Sequence, residues 1–81
     1  MKQEYVIQFQ DSKGLDAPLY WTGARFKYHR RLYADLTINP EMARTFKYLS
    51  RAERGLEALR NTTANNGIYK IVTRDICVEY K

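Results

Sequence analysis

Few residues in this 81-residue chain are equipped for covalent chemistry. The chain holds one histidine, His29, and one cysteine, Cys77. His29 lies among Lys27, Arg30 and Arg31, whose positive charge repels a metal ion, so it reads as a solvated surface side chain. Cys77 has no second cysteine and no neighbouring histidine to draw off its proton, which fits a structural thiol better than a nucleophile. A zinc site needs about four ligands at short paired spacings, and this pair cannot supply them. Glu53 and Glu57 stand one helical turn apart with no second acidic pair beside them, so both read as solvent-facing. There is no glycine-rich phosphate loop. The expectation is a protein that is not an enzyme, with no catalytic residue, metal or cofactor.

Binding chemistry is better represented. Arg25, Lys27, Tyr28, His29, Arg30, Arg31 and Tyr33 mix cations with rings, the combination that neutralises phosphates and stacks on bases. Strand alternation sets Arg25, Lys27 and His29 on one face and Phe26, Tyr28 and Arg30 on the other, which makes a cationic row possible. The competing reading is a basic edge strand whose charges discourage edge-to-edge pairing. Arg44, Lys47, Arg51 and Arg54 extend the candidate patch along the front of the following helix. Arginines near a helix start oppose its dipole at about a few tenths of a kcal/mol each, a small cost that hints at a role other than stability. The formal net charge of +5 favours anionic partners.

These side chains must be positioned by a small domain. The length suits one domain over residues 1–81, and 44% hydrophobic with 28% charged residues describes a globular chain rather than a disordered one. Tyr5 to Gln10 alternates, with Tyr5, Ile7 and Phe9 on one face, as a half-buried strand does. Leu19 to Thr22 predicts a second strand ending at Gly23, and Ala24 to Tyr28 a third. Asn39 and Pro40 suggest a cap and first position of a short turn. Arg44 to Tyr48 reads as a short strand. Ser50 and Glu53 then form a capping box that opens a helix to about Arg60. Ala52, Leu56 and Leu59 give that helix one narrow apolar stripe, which must lie on strands. Ile68 to Tyr80 is either one strand with a bulge at Arg74 and Asp75 or a tight hairpin turning there; Arg-Asp is a poor turn, which favours one bent strand. The predicted class is α+β: a small antiparallel sheet of three to five strands with one main helix on one face, in β-β-(β)-β-α-β order.

The opening Y-V-I strand, the Y-W-T-G near residue 20, the A-R-T-F before an S-x-A-E helix and the closing Y-K-I-V strand together resemble small uncharacterised accessory proteins of phages and mobile elements. The segment Thr45 to Leu59 more loosely resembles the end of the arm-type DNA-binding domain of tyrosine integrases, although a strand follows the helix where that module leads into a linker. The first likeness implies a non-catalytic protein that binds a host protein or nucleoprotein, for instance an anti-CRISPR-like inhibitor of a nuclease-based defence. The alternative from the residues themselves is a DNA- or RNA-binding module using segment 25–33. A single cysteine, a polar N-terminus and no apolar run of about 20 residues lead us to expect the cytoplasm of a bacterial host and no membrane contact.

Overall fold

The computed structural model describes residues 2–11 and 17–76, with side chains for 4–11 and 17–73. Its order is β1 (Lys2–Asp11), β2 (Leu19–Tyr28), β3 (Arg31–Thr37), a 3-10 turn (Pro40–Met42), α1 (Leu49–Thr62) and β4 (Gly67–Ile76). The strands form one antiparallel sheet in the order β3-β2-β1-β4, an α+β fold. The chain leaves one edge of the sheet at β3 and joins the opposite edge at β4, so α1 packs across one face.

The alternation of β1 is realised. Ile7 and Phe9 are buried under the helix, with Tyr5 packed partly against them. The helical stripe meets them: Ala52 and Leu59 are buried, and Leu56 is half-buried. From β4 the helix receives Tyr69 and Ile71, whereas Ile68, on the other face, is 66% exposed. The β1–β4 ladder runs unbroken from Lys2↔Ile76 to Asp11↔Gly67. One strand therefore spans Arg74 and Asp75, as expected, but without the predicted bulge. Cys77 and the end of that predicted strand lie outside the described residues.

The other half of the sheet is irregular. β1 pairs with β2 only at Gln8↔Tyr20 and Phe9↔Leu19, after which the two strands part. The predicted strand over Arg44 to Tyr48 is instead a wedge in that gap. The Arg44 amide donates to the Trp21 carbonyl at 2.9 Å, while Tyr5 and Phe46 exchange backbone hydrogen bonds at 2.9 and 2.8 Å. Each side of the split thus finds a partner, as buried backbone must. What the sequence divides into two strands at Gly23 is the single strand β2, with a bulge between Trp21 and Arg25. Gly23 has φ +97°, which its missing Cβ makes inexpensive, so it bends the strand rather than ending it. The bulge is tied internally: Trp21 Nε1 donates to the Ala24 carbonyl at 2.8 Å, and the Thr22 hydroxyl donates to Asp35 Oδ2 at 2.8 Å.

Two further expectations change. α1 begins at Leu49 with Tyr48 as its N-cap and no side-chain capping bond, so the Ser50–Glu53 capping box does not form. The wedge fixes this. With Phe46 held against β1, the chain enters the helix before Ser50 can occupy the cap position. The Asn39 cap does form, with the Glu41 amide donating to Asn39 Oδ1 at 3.0 Å ahead of Pro40. No helix among the described residues is long and apolar enough to cross a membrane.

Candidate functional site

The bend in β2 carries Arg25 over the flank of α1. There Arg25, Arg44, Arg51 and Arg54 surround a cavity of about 420 Å³ whose remaining lining is Trp21, Gly23, Phe46 and Gly55. Four guanidinium groups thus share one cavity with no acidic residue in its wall.

Each arginine arrives by a different route. Arg25 follows the bulge and faces the helix side of the sheet with Ala34, its cross-strand partner. Its Nη1 donates to the Thr62 hydroxyl at 3.4 Å, which sets the strand beside the helix. Arg44 comes from the wedge and lies with its Cζ 5.3 Å from the Phe46 ring centroid, within cation–π range. Arg51 and Arg54 come from the start of α1. At 100° per residue they lie on the side that carries Ala58, while Glu53 and Arg60 point to the far side from Arg51 and Glu57 falls about 60° from Arg54. The floor is rigid and apolar: Trp21 and Phe46 are each 9% exposed and stack at 6.3 Å.

The electrostatics follow from that arrangement. Arg51 has no acidic residue three or four positions away and Arg54 has only Glu57, three positions on, yet none of the four arginines makes an ion pair among the described residues. The first turn of α1 contains no acid and no capping side chain, so its amide dipoles add positive potential at the same end. Charges of one sign against an apolar floor repel one another, and an anion relieves that repulsion.

The remaining predicted residues lie on the β2–β3 hairpin or beside the wedge. Arg25 and Lys27 share one face, and Phe26 and Tyr28 the other, as the alternation predicts. His29 and Arg30 do not continue it. They are the two turn residues, with φ +50° and +66°, between Tyr28 and Arg31. Asn-Gly is the residue pair such a turn ordinarily favours, and two side chains held in the left-handed region cost about 1–2 kcal/mol each. His29 packs edge-on against Tyr28 at 4.2 Å, and Phe26 stacks on Tyr33 at 5.7 Å. Phe26 and Tyr28 remain 50% and 60% exposed. Lys27, Arg30 and Arg31 are exposed too: Lys27 carries positive charge from Arg25 toward the turn at Arg30, while Arg31, opposite Tyr28, lies on the other face of the hairpin. Lys47 is exposed but does not line the cavity.

Sequence reading missed Trp21, Phe46 and Gly55 as site residues. A buried ring pair is indistinguishable from core in one dimension, and only the folded wedge brings it beside the arginines. Among the described residues no group of three or more His, Cys, Asp or Glu side chains could hold a metal ion. No family model, no curated protein and no solved structure matches this chain.

Proposed function

We propose that this protein is a non-catalytic binding module for nucleic acid. The reading is carried by one observation: four arginines that make no ion pair among the described residues line one open recess, and Lys27 continues the positive charge to the hairpin tip. Guanidinium forks match phosphate oxygens bidentately, and a surface of this kind gains affinity by releasing counterions from a phosphate backbone. A two-stranded ribbon carrying exposed rings and cations can also enter a groove or stack on unpaired bases.

Fluorescence anisotropy with labelled duplex DNA, single-stranded DNA and structured RNA tests this. With about four phosphates neutralised, affinity should fall ~100-fold between about 50 and 200 mM salt. The double variant Arg51→Ala, Arg54→Ala should flatten the salt slope by about two units, and the variant Lys27→Ala by about one. Absence of binding at tens of micromolar would discard the proposal.

A second reading is docking onto a host protein or nucleoprotein, the role of an anti-CRISPR-like phage or mobile-element inhibitor. It is favoured by the exposed Phe26 and Tyr28 on the hairpin face away from Arg25 and Lys27. Aromatic residues of this kind commonly anchor protein interfaces. Capture of a defined host nuclease complex from lysate that is lost in Phe26→Ala, Tyr28→Ala, with nucleic-acid affinity unchanged, would select this reading over the first.

A further inference from the structure

We infer that the arginine cavity receives the terminal phosphate monoester of a nucleic-acid strand, so that the protein prefers phosphorylated strand ends to strand interiors. The inference rests on the nucleic-acid function proposed above and narrows it to a substrate class.

Three features distinguish an end-binding cavity from a backbone-tracking groove. The first is shape. Trp21, Phe46 and Gly55 line the bottom of an open recess between the arginines, and the two rings are stacked and buried. A continuous strand passing over such a recess contacts its rim, whereas an end can enter. The second is charge. A phosphodiester offers one negative charge, whereas a monoester carries about 1.5 to 2 at neutral pH together with three acceptor oxygens. Arg25, Arg44, Arg51 and Arg54 surround one space from the sheet, the wedge and the helix, which suits a compact multidentate anion better than a row of single charges spaced along a chain. The third is size. About 420 Å³ exceeds what one phosphate group needs and falls within the range of small-molecule pockets, which leaves room for the terminal sugar behind it. Trp21 and Phe46 are each 9% exposed and Arg44 lies over the Phe46 ring, so the floor leaves a base little ring surface to stack on and the end is selected by its phosphate rather than by base identity.

The hairpin then has a separate part. Lys27 lies beyond Arg25 on the same face of the ribbon and Arg30 at its tip, where they meet the phosphates next to the bound end, while Arg31 flanks the ribbon on its other face beside Tyr28. This division makes the two groups of cations experimentally separable.

The test is anisotropy on labelled oligonucleotides of one sequence bearing a 5′-phosphate, a 3′-phosphate or hydroxyls at both ends, with inorganic phosphate and a nucleoside monophosphate as competitors. At least one phosphorylated end should bind tenfold or more tightly than the all-hydroxyl strand. Arg51→Ala or Arg54→Ala should abolish that preference, while Lys27→Ala should weaken all strands by a similar factor and keep it. Equal affinity for all ends, with binding otherwise intact and salt-dependent, would overturn end recognition and leave the nucleic-acid function standing. A nucleoside monophosphate that binds as tightly as the strand would overturn it in favour of a free-nucleotide site. No binding to any oligonucleotide would overturn both proposals. Because all four arginines are exposed, their removal leaves the core untouched, and circular dichroism of each variant verifies the fold.

Discussion

The two halves of the sheet are built on different rules. Between β1 and β4 the ladder has no break, and its helix-facing side chains are Tyr5, Ile7, Phe9, Tyr69 and Ile71, packed under Ala52 and Leu59. Between β1 and β2 the pairing stops after two residue pairs, a wedge fills the split, and β2 is bulged at a left-handed glycine before reaching a turn with two more left-handed residues. The first half satisfies local propensity, pairing and burial together. The second departs from those rules repeatedly, and at each departure a cation is placed. The bulge turns Arg25 toward the helix, the wedge brings Arg44, and the uncapped helix start carries Arg51. Irregularity of this kind concentrates where structure serves binding rather than stability.

The comparison can be broken most severely at Gly67. A Cβ there would collide with the Gln10 carbonyl oxygen and the Phe9 ring, so Gly67→Ala should cost about 4 kcal/mol and leave little folded protein by circular dichroism. Leu59→Ala, at a residue 1% exposed, should cost about 3 kcal/mol in chemical denaturation and lower binding only through unfolding. In the irregular half the signs reverse. Arg51→Ala, Arg54→Ala should lower nucleic-acid affinity tenfold or more, while the melting temperature holds or rises slightly as the charge opposing the dipole is removed. Replacing the turn by His29→Asn, Arg30→Gly should stabilise the fold by about 1–2 kcal/mol and weaken binding by the loss of Arg30.

The smallest effect concerns Tyr69. Its burial, 4% exposed, raises the phenol above its ordinary 10.0, partly offset by its hydrogen bond with the Thr63 hydroxyl at 2.9 Å. A folded-state value above the unfolded one means that the neutral phenol is favoured on folding. That contribution is complete below about pH 10 and is lost as pH rises through the raised folded value. Tyr69→Phe should therefore flatten the fall of melting temperature in the alkaline limb and cost about 1 kcal/mol at neutral pH.

The regular half was legible in the sequence because each of its signals is local. Tyr5, Ile7 and Phe9 alternate, Ala52, Leu56 and Leu59 recur at helical spacing, and Asn39–Pro40 is a cap. The rest depended on contacts distant in sequence. β3 escaped notice because the turn before it uses His29 and Arg30 instead of glycine, although Leu32, Ala34 and Leu36 alternate with Tyr33 and Asp35 as a half-buried strand does. Ser50 and Glu53 have the composition of a capping box, yet the bridge from Phe46 to Tyr5 sets the helix entry elsewhere. The candidate cations were identified as types, and alternation correctly paired Arg25 with Lys27. Nothing local could show that β2 bends until Arg25 faces Arg51 and Arg54.

The outer edges of β2–β3 and of α1 meet in the short loop before β4. The Ala64 amide donates to the Leu32 carbonyl at 2.8 Å, and Asn65 Oδ1 accepts from the Ala34 amide at 2.7 Å. That clasp joins the hairpin to the segment that must still travel across the molecule and pair with β1. During synthesis β1 therefore waits for a partner that emerges about sixty residues later, and the clasp forms only as that partner appears.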